Sequence, residues 1–242
     1  MLMSLVPERR RGPELIDLPS ENYSQSEYAG SLADIRTVNH FLGHNRIALK
    51  KFSALASGIT SSVERPIRVL DVATGSADIP VALVKWARRQ GINVLVTAVD
   101  INPLAIREAA LFSRAYSELT VAVADGCSLP FEDGSFDIVL CTKTLHHSSE
   151  EDTVRLLKEI GRVSAVGYIV MDLRRSRVAW LLISLLTKTF SRNRLTRYDG
   201  PLSVLRSYTV SELGDLAVRA GLAGCRIVKQ PFWLMILSGK KE

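Results

Sequence analysis

Two rhythms of apolar and polar positions alternate along most of the chain. The runs "IRVLDVA", "VLVTAVD", "LTVAVAD", "FDIVLCT" and "GYIVMDL" are short, β-branched and nearly continuously apolar, and most close on an acidic or polar residue. Between them, "DIPVALVKWARRQG", "NPLAIREAALFSRAYS" and "EEDTVRLLKEIGRV" repeat apolar residues at helical spacing. Strands without a polar face, alternating with helices of this length, predict βαβ units and a mostly parallel sheet with helices on both faces. The fold class is therefore α/β. Such sheets bind ligands beyond the carboxyl ends of their strands, where these runs place their closing polar residues.

The flanks follow other patterns. Residues 1–30, with Pro7, Pro13, Pro19 and Gly30, read as an irregular arm. Ser31 and Asp34 form a capping-box-like pair ahead of Leu32, Ile35 and Val38, which predicts a helix from Ser31, interrupted at Gly43. A second helix, "HNRIALKKFSALASG", stops at Gly58. Residues 1–60 thus make an arm and helical cap, and residues 61–242 the ligand-binding domain, with an insertion at about 173–208. The insertion reads as an apolar helix, "VAWLLISLLTKTF", and a basic loop, "SRNRLTRYDGPLS". Thr209 or Ser211 then caps a helix that ends at Gly221. "CRIVKQPFWLMILSGKK" predicts a closing antiparallel hairpin, with Gln230-Pro231 near its turn.

Composition narrows this only a little. A chain of 242 residues suits one large domain with an appendage. Cys127, Cys141 and Cys225 form no CxxC pair and suit a reducing, cytoplasmic setting. "MLMSLVPERRR" is too short in its apolar part for a signal peptide, and "VAWLLISLL" falls well short of a membrane span. The net charge of +6 admits nucleic acid or an anionic membrane as a partner. The basic residues, however, lie in small groups rather than one stripe.

The chemistry begins at "VLDVATGSAD". A strand ends in Asp71, Gly75 turns the chain, and a helix starts near Asp78. A pyrophosphate would expect GxGxxG here and would be repelled by Asp71 and Asp78, whereas a cationic ligand would be attracted. Asp100, at the next strand end, can accept both hydroxyls of a ribose. Asp125, at the third, can face an adenine amino group. Solvation or capping explains one such aspartate, but three in succession at the binding edge point to a ligand. S-adenosylmethionine combines the ribose, the adenine and the positive charge.

"LDVATGSAD", "AVDINP", "ADGCSLPFEDGSFDIVLCTKTLHH" and "LKEIGRV", in this order, resemble the motif series of class I S-adenosylmethionine-dependent methyltransferases. The resemblance covers about residues 60–240, and "SLPFEDGSFDIV" is similar to the small-molecule branch related to quinone-biosynthesis methyltransferases. "SLADIRTVNHFLGHNRIALKKF" resembles the N-terminal helices of bacterial methyltransferases associated with polyketide-type phenolic products. The resemblance implies a Rossmann-like class I methyltransferase sheet. It puts Asp71, Ala73, Thr74, Gly75, Ser76 and Asp78 around the methionine part, and Asp100 and Ile101 at the ribose and adenine. Asp125 and Gly126 would meet the adenine edge, and Cys141 and Thr142 the sulfonium. Ala73 and Ala77 depart from the family's usual glycines. The implied reaction is O-methylation of a small lipophilic aromatic acceptor, a phenol or polyketide hydroxyl, releasing S-adenosylhomocysteine. C-methylation of a quinol-like ring is the alternative. A nucleic-acid methyltransferase is disfavoured, since the chain has no Pro-Pro or Pro-Cys pair, and a nicotinamide oxidoreductase lacks its glycines.

"CTKTLHH" carries two of the four histidines and falls beside the donor. Metal-dependent quinone O-methyltransferases keep carboxylates where this chain has Lys143 and His146, and a two-His zinc site lacks further ligands in the sequence. The expectation is no metal, with an imidazole taking the acceptor's proton. Adjacent helical residues do not face one pocket, and of His146 and His147 the latter is favoured. Lys143 would hold a phenolate. Asp172 and Arg174, with Tyr198, Asp199, Ser203, Arg206 and Tyr208 from the insertion, would line the acceptor pocket. Arg36, Asn39 and His40 could reach the ligand from the cap. "VAWLLISLLTKTF" is expected to form the lid of an apolar pocket, with weak membrane-surface contact or subunit pairing as alternatives, so a monomer and a homodimer are both compatible.

Overall fold

The computed structural model describes residues 6–60 and 65–241. The N-terminal five residues and the domain boundary expected at 60/61 lie outside the described residues. Helices α1 (Gln25–Phe41) and α2 (His44–Thr60) precede strand β1 (Ile67–Val72). Then follow α3 (Asp78–Gln90), β2 (Val94–Asp100), α4 (Pro103–Ser113), β3 (Leu119–Val123) and β4 (Phe136–Thr142). After them come α5 (Glu150–Val163), β5 (Ser164–Leu173), α6 (Arg177–Phe190), α7 (Arg194–Arg206) and α8 (Val210–Arg219). The hairpin β6 (Arg226–Gln230) and β7 (Leu234–Lys240) closes the chain.

The strands form one sheet in the order β3-β2-β1-β4-β5-β7-β6. β1 to β5 pair in parallel, and β7 is antiparallel to both β5 and β6. The expected α/β sheet with a terminal hairpin is the observed one. β1 and β4 bury nearly every side chain, which accounts for their unbroken apolar runs. Phe52 of α2 and Leu83 of α3 fill one face of the sheet, and Leu157 of α5 and Leu216 of α8 fill the other. β1 and β4 are neighbours although β2 and β3 lie between them in sequence. This is the switch point at which open α/β sheets leave a crevice.

Two elements differ from expectation. α1 starts at Gln25 rather than Ser31. Ser24 Oγ accepts from Glu27 N at 3.1 Å while Glu27 Oε2 accepts from Ser24 N at 2.9 Å, a complete capping box. Ser31 is buried and packs, so it caps nothing. The basic loop is helix α7. Asn193 Oδ1 caps it, accepting from Leu195 N at 2.8 Å and Thr196 N at 3.3 Å, and Pro201 is accommodated inside. A Cβ on Gly200 would come within 2.9 Å of Thr187 Cγ2, so glycine lets α7 lie against α6. The helix was hidden because its inward face includes Asp199 and Arg206, polar residues that tertiary partners satisfy. Thr209 caps α8, as one of the two expected residues.

The loop between β1 and α3 holds three left-handed residues, Ala73 (φ 55°), Gly75 (φ 55°) and Ala77 (φ 57°). Only glycine takes this conformation without a steric cost of about 1–2 kcal/mol. Ala73→Gly should therefore gain about 0.5–1 kcal/mol in urea denaturation, part of the relief being offset by unfolded-chain entropy. A loss of stability would mean that the Ala73 methyl contributes more by packing than it costs in strain.

Candidate active site

A cavity of about 830 Å³ opens at the carboxyl ends of β1, β2, β4 and β5. Its donor half is lined by Ala73, Thr74, Gly75, Ser76, Asp78, Asp100, Ile101 and Thr142, all expected there. Asp100 is fixed at the tip of β2: Gly75 N donates to Oδ2 and Asn102 N to Oδ1, both at 2.9 Å. Burial pushes its carboxyl up. Asp71 stands fully buried outside the lining, and burial, reinforced by Asp78 and Asp100, pushes it up to about 7. Thr74 Oγ1, buried beside Asp71, opposes part of that rise. Three clustered carboxyl groups suit a cationic ligand and would repel a pyrophosphate.

Several expected ligand residues stand elsewhere. Cys141 has no exposed surface and packs in the core. Asp125 is exposed, and its Oδ1 accepts from Cys127 N at 2.8 Å, which makes it a turn residue. A Cβ on Gly126 would press to 2.9 Å on both Leu156 and Val72, so that glycine serves packing. None of these three lines the cavity. Lys143 lines the cavity, takes a left-handed φ of 56°, and donates from its ammonium to Asn39 Oδ1. Asn39 Nδ2 donates to Asp78 Oδ2 at 2.8 Å, so α1 is tied to the floor of the donor cleft. Burial lowers the Lys143 pKa against the opposing pull of Asp78, Asp172 and Asp71. Asn39 does reach the cavity, whereas His40 is exposed beside Phe41 and Arg36 lies over the Phe112 ring.

The acceptor half is organised by the arm and α7. His146 and His147 sit on a 3-10 turn, Leu145–His147, with ring centroids 4.3 Å apart, and both line the cavity. The helical rule against adjacent residues sharing a pocket fails because this single turn is not an α-helix. Asp172 is buried outside the lining, so its part is to orient His146 rather than touch an acceptor. Its Oδ1 lies 2.7 Å from His146 Nδ1, and its Oδ2 accepts from His146 N at 3.1 Å. A carboxylate accepts a hydrogen bond from Nδ1–H, the tautomer in which Nε2 carries the lone pair. Burial would raise Asp172, but His146 holds it below the usual carboxylate range.

His147 is engaged differently. Its Nδ1 lies 2.6 Å from Asp17 Oδ1 of the arm. Burial opposes its charge, yet Glu14 and Asp17 prevail and push the imidazole up to about 9. Asp17 falls to about 2, where its bond to His147 and the charge of Arg206 outweigh burial. An imidazole held charged by Glu14 and Asp17 is a poor proton acceptor at neutral pH.

Arg206 donates from Nη1 to Asp17 Oδ2 at 2.7 Å, from Nε to His146 O at 2.9 Å and from Nη2 to His147 O at 2.8 Å. It positions the histidine turn and does not line the cavity. Asp199 accepts from Leu15 N at 2.6 Å and Ile16 N at 3.1 Å, and Ser203 Oγ donates to Glu14 Oε2 at 2.9 Å. Burial pushes Asp199 up to about 6. Arg174, Asp199 and Ser203 line the cavity as expected, while Tyr198 is exposed away from it and Tyr208 is buried against Thr153. Glu14 and Asp17 were missed because they sit in a Pro-containing arm with no periodic pattern. The third metal-ligand candidate absent from the sequence reading is Glu14, whose carboxylate shares a 4.8 Å cluster with the two histidines. Both Nδ1 atoms face carboxylates, however, and Arg206 Nε already brings a cation to 3.9 Å from Glu14 Oε1.

Residues 69–167 match the family model of the methyltransferase domain. Over that stretch the chain is similar to methyltransferase domains. A ubiquinone/menaquinone biosynthesis C-methyltransferase of Rickettsia felis is 33% identical over 102 residues, covering 39% of this chain and 41% of that protein. The chain thus spans less than half the length of the curated relatives it matches. Among solved structures, an S-adenosylmethionine-dependent methyltransferase of Aquifex aeolicus aligns with a TM-score of 0.62 at 17% identity, covering 90% of this chain and 98% of that one. Magnesium protoporphyrin IX methyltransferase of Synechocystis PCC 6803, with bound S-adenosylhomocysteine, aligns at 0.55 and 17%, covering 83% and 84%. These likenesses establish the Rossmann-like methyltransferase fold.

The arm's clasp should depend on pH. His147 is raised above its unfolded value of about 6.5, so its contribution is full below that value and is lost as pH rises through about 9. His147→Gln should therefore be less stable than the parent at pH 6, with the gap in thermal midpoint closing by pH 10. A gap independent of pH would show that the ring acts by packing alone.

Proposed function

We propose that the protein transfers the methyl group of S-adenosylmethionine to the hydroxyl oxygen of a small, lipophilic phenolic acceptor, with His146 as proton acceptor. The observation that carries this reading is the buried Asp172–His146 pair at the boundary between the carboxylate-rich donor cleft and an apolar acceptor half. The donor would sit with its ammonium and sulfonium near Asp78 and its ribose on Asp100, over the buried Asp71. The cofactor supplies an activated methyl group. The phenolic oxygen would attack that methyl carbon in line as its bond to sulfur breaks and a neutral thioether leaves, and His146 Nε2 would accept the phenolic proton. Alignment and exclusion of water supply much of the acceleration. Leu182, Ile183 and Leu186 of α6 form the apolar wall that an aromatic body would fill.

A second reading, methylation at a ring carbon, draws support from the C-methyltransferase names of the curated relatives. Deprotonation of a ring hydroxyl by the same base activates the ortho and para carbons, so product regiochemistry separates the two.

His146→Ala and Asp172→Asn should each lower kcat by roughly 10²–10⁴-fold with S-adenosylmethionine affinity nearly intact. Retention of kcat in both would defeat the assignment. Turnover should also survive a chelator such as EDTA, whereas loss restored by a divalent ion would point to metal assistance through Glu14, His146 and His147. Asp100→Ala should weaken S-adenosylmethionine binding at least tenfold by calorimetry, through loss of its hydrogen bonds to the ribose; unchanged affinity would place the ribose elsewhere.

A further inference from the structure

α6 buries only Ala179 and Thr187. Val178, Trp180, Leu181, Leu182, Leu185 and Phe190 are exposed, Leu185 by 65% and Phe190 by 80%. A contiguous apolar face of this kind on a soluble domain marks an interaction surface. Its charge is one-sided: between Leu173 and Tyr198 the sequence has no Asp or Glu. Lys188, Arg192, Arg194 and Arg197 are exposed at the end of α6 and the start of α7, although Arg194 also reaches Glu27. An apolar helix with a tryptophan, followed by cations at its end and on the start of the next helix, matches the pattern of a segment lying in the headgroup region of a bilayer. No helix among the described residues is long and apolar enough to cross one.

The face is also continuous with the acceptor cavity. Leu182, Leu185 and Phe190 line that cavity while remaining exposed, as do Ile35 of α1 and Phe232 of the closing hairpin. The apolar surface therefore runs from the outside of α6 into the site. A second copy seated on this face would bring like charges together, which disfavours self-association.

We propose that α6 docks on an anionic lipid surface, with its outer face in the headgroup boundary and the mouth of the acceptor cavity opening toward the bilayer. The cations supply attraction to the headgroups, and Val178, Leu181 and Trp180 supply burial. Docking stands independently of the reaction assigned above, which determines only what passes through the mouth.

Cosedimentation of the full chain with phosphatidylcholine vesicles, with and without phosphatidylglycerol, tests this. Binding is expected to the anionic vesicles and to weaken as salt is raised. Lys188→Gln/Arg192→Gln should lower partitioning about 30-fold by removing two cations from the surface. Leu181→Asp should weaken binding as well. These residues lie outside the cavity lining, so S-adenosylmethionine affinity and far-ultraviolet circular dichroism should match the parent and verify folding. Failure to bind anionic vesicles at low salt, or equal binding by parent and both variants, would overturn the proposal. So would a dimer that Leu181→Asp dissociates, since a second copy would then cover the face. Methylation of a short water-soluble phenol without vesicles, measured in parallel, bears on the chemistry alone.

Discussion

The acceptor half depends on one carboxylate that water cannot reach. Asp172 closes β5, is 1% exposed, and distributes its two oxygens over His146 Nδ1, His146 N and Leu173 N. A buried charge is tolerated only when it is paired and hydrogen-bonded. Here the pairing also fixes the tautomer of His146 and the course of the chain after β4. The turn held in this way presents its carbonyl oxygens to Arg206, whose remaining donor reaches Asp17 of the arm. A line of charge-assisted bonds thus runs from the central sheet to a segment that has no regular secondary structure beyond short 3-10 turns. Charge-assisted bonds are stronger than neutral ones and, away from water, less screened.

The donor half is built on the opposite imbalance. Asp71, Asp78 and Asp100 converge where two parallel strands diverge, and burial with mutual repulsion raises Asp71. Lys143 and Asn39 relieve only part of this, by bonds that close the floor of the cleft. An anionic, roomy cleft suits a ligand bearing positive charge better than a phosphate. The same strand ends therefore carry the ligand's binding and the strain of holding like charges together.

Much of this was legible in the chain. Apolar runs of period two or none gave the five parallel strands, and the acidic strand ends marked the ligand edge. Gly75, Asp78 and Asp100 were readable because the loop after the first strand and the tip of the second face the crevice in any sheet wound this way. Asp125 and Cys141 occupy comparable sequence positions, but their side chains turn into a loop and into the core, and sequence does not record which way a strand-end residue points. α7 and the start of α1 were misread for a common reason. Their buried or capping residues are polar, and a polar residue looks like surface until its partner is known.

The amino-acid sequence by itself determined the sheet, its ligand edge and the sign of the charge gathered there, since these follow from local periodicity and from residue types closing each strand. Tertiary structure alone decided which carboxylate each histidine meets. Asp172 lies 26 residues from His146 and Asp17 lies 130 residues from His147, yet each sits within hydrogen-bond distance of its ring. Protonation depends on neighbours in space, and only the folded chain brings the arm, the end of β5 and α7 to the same two imidazoles.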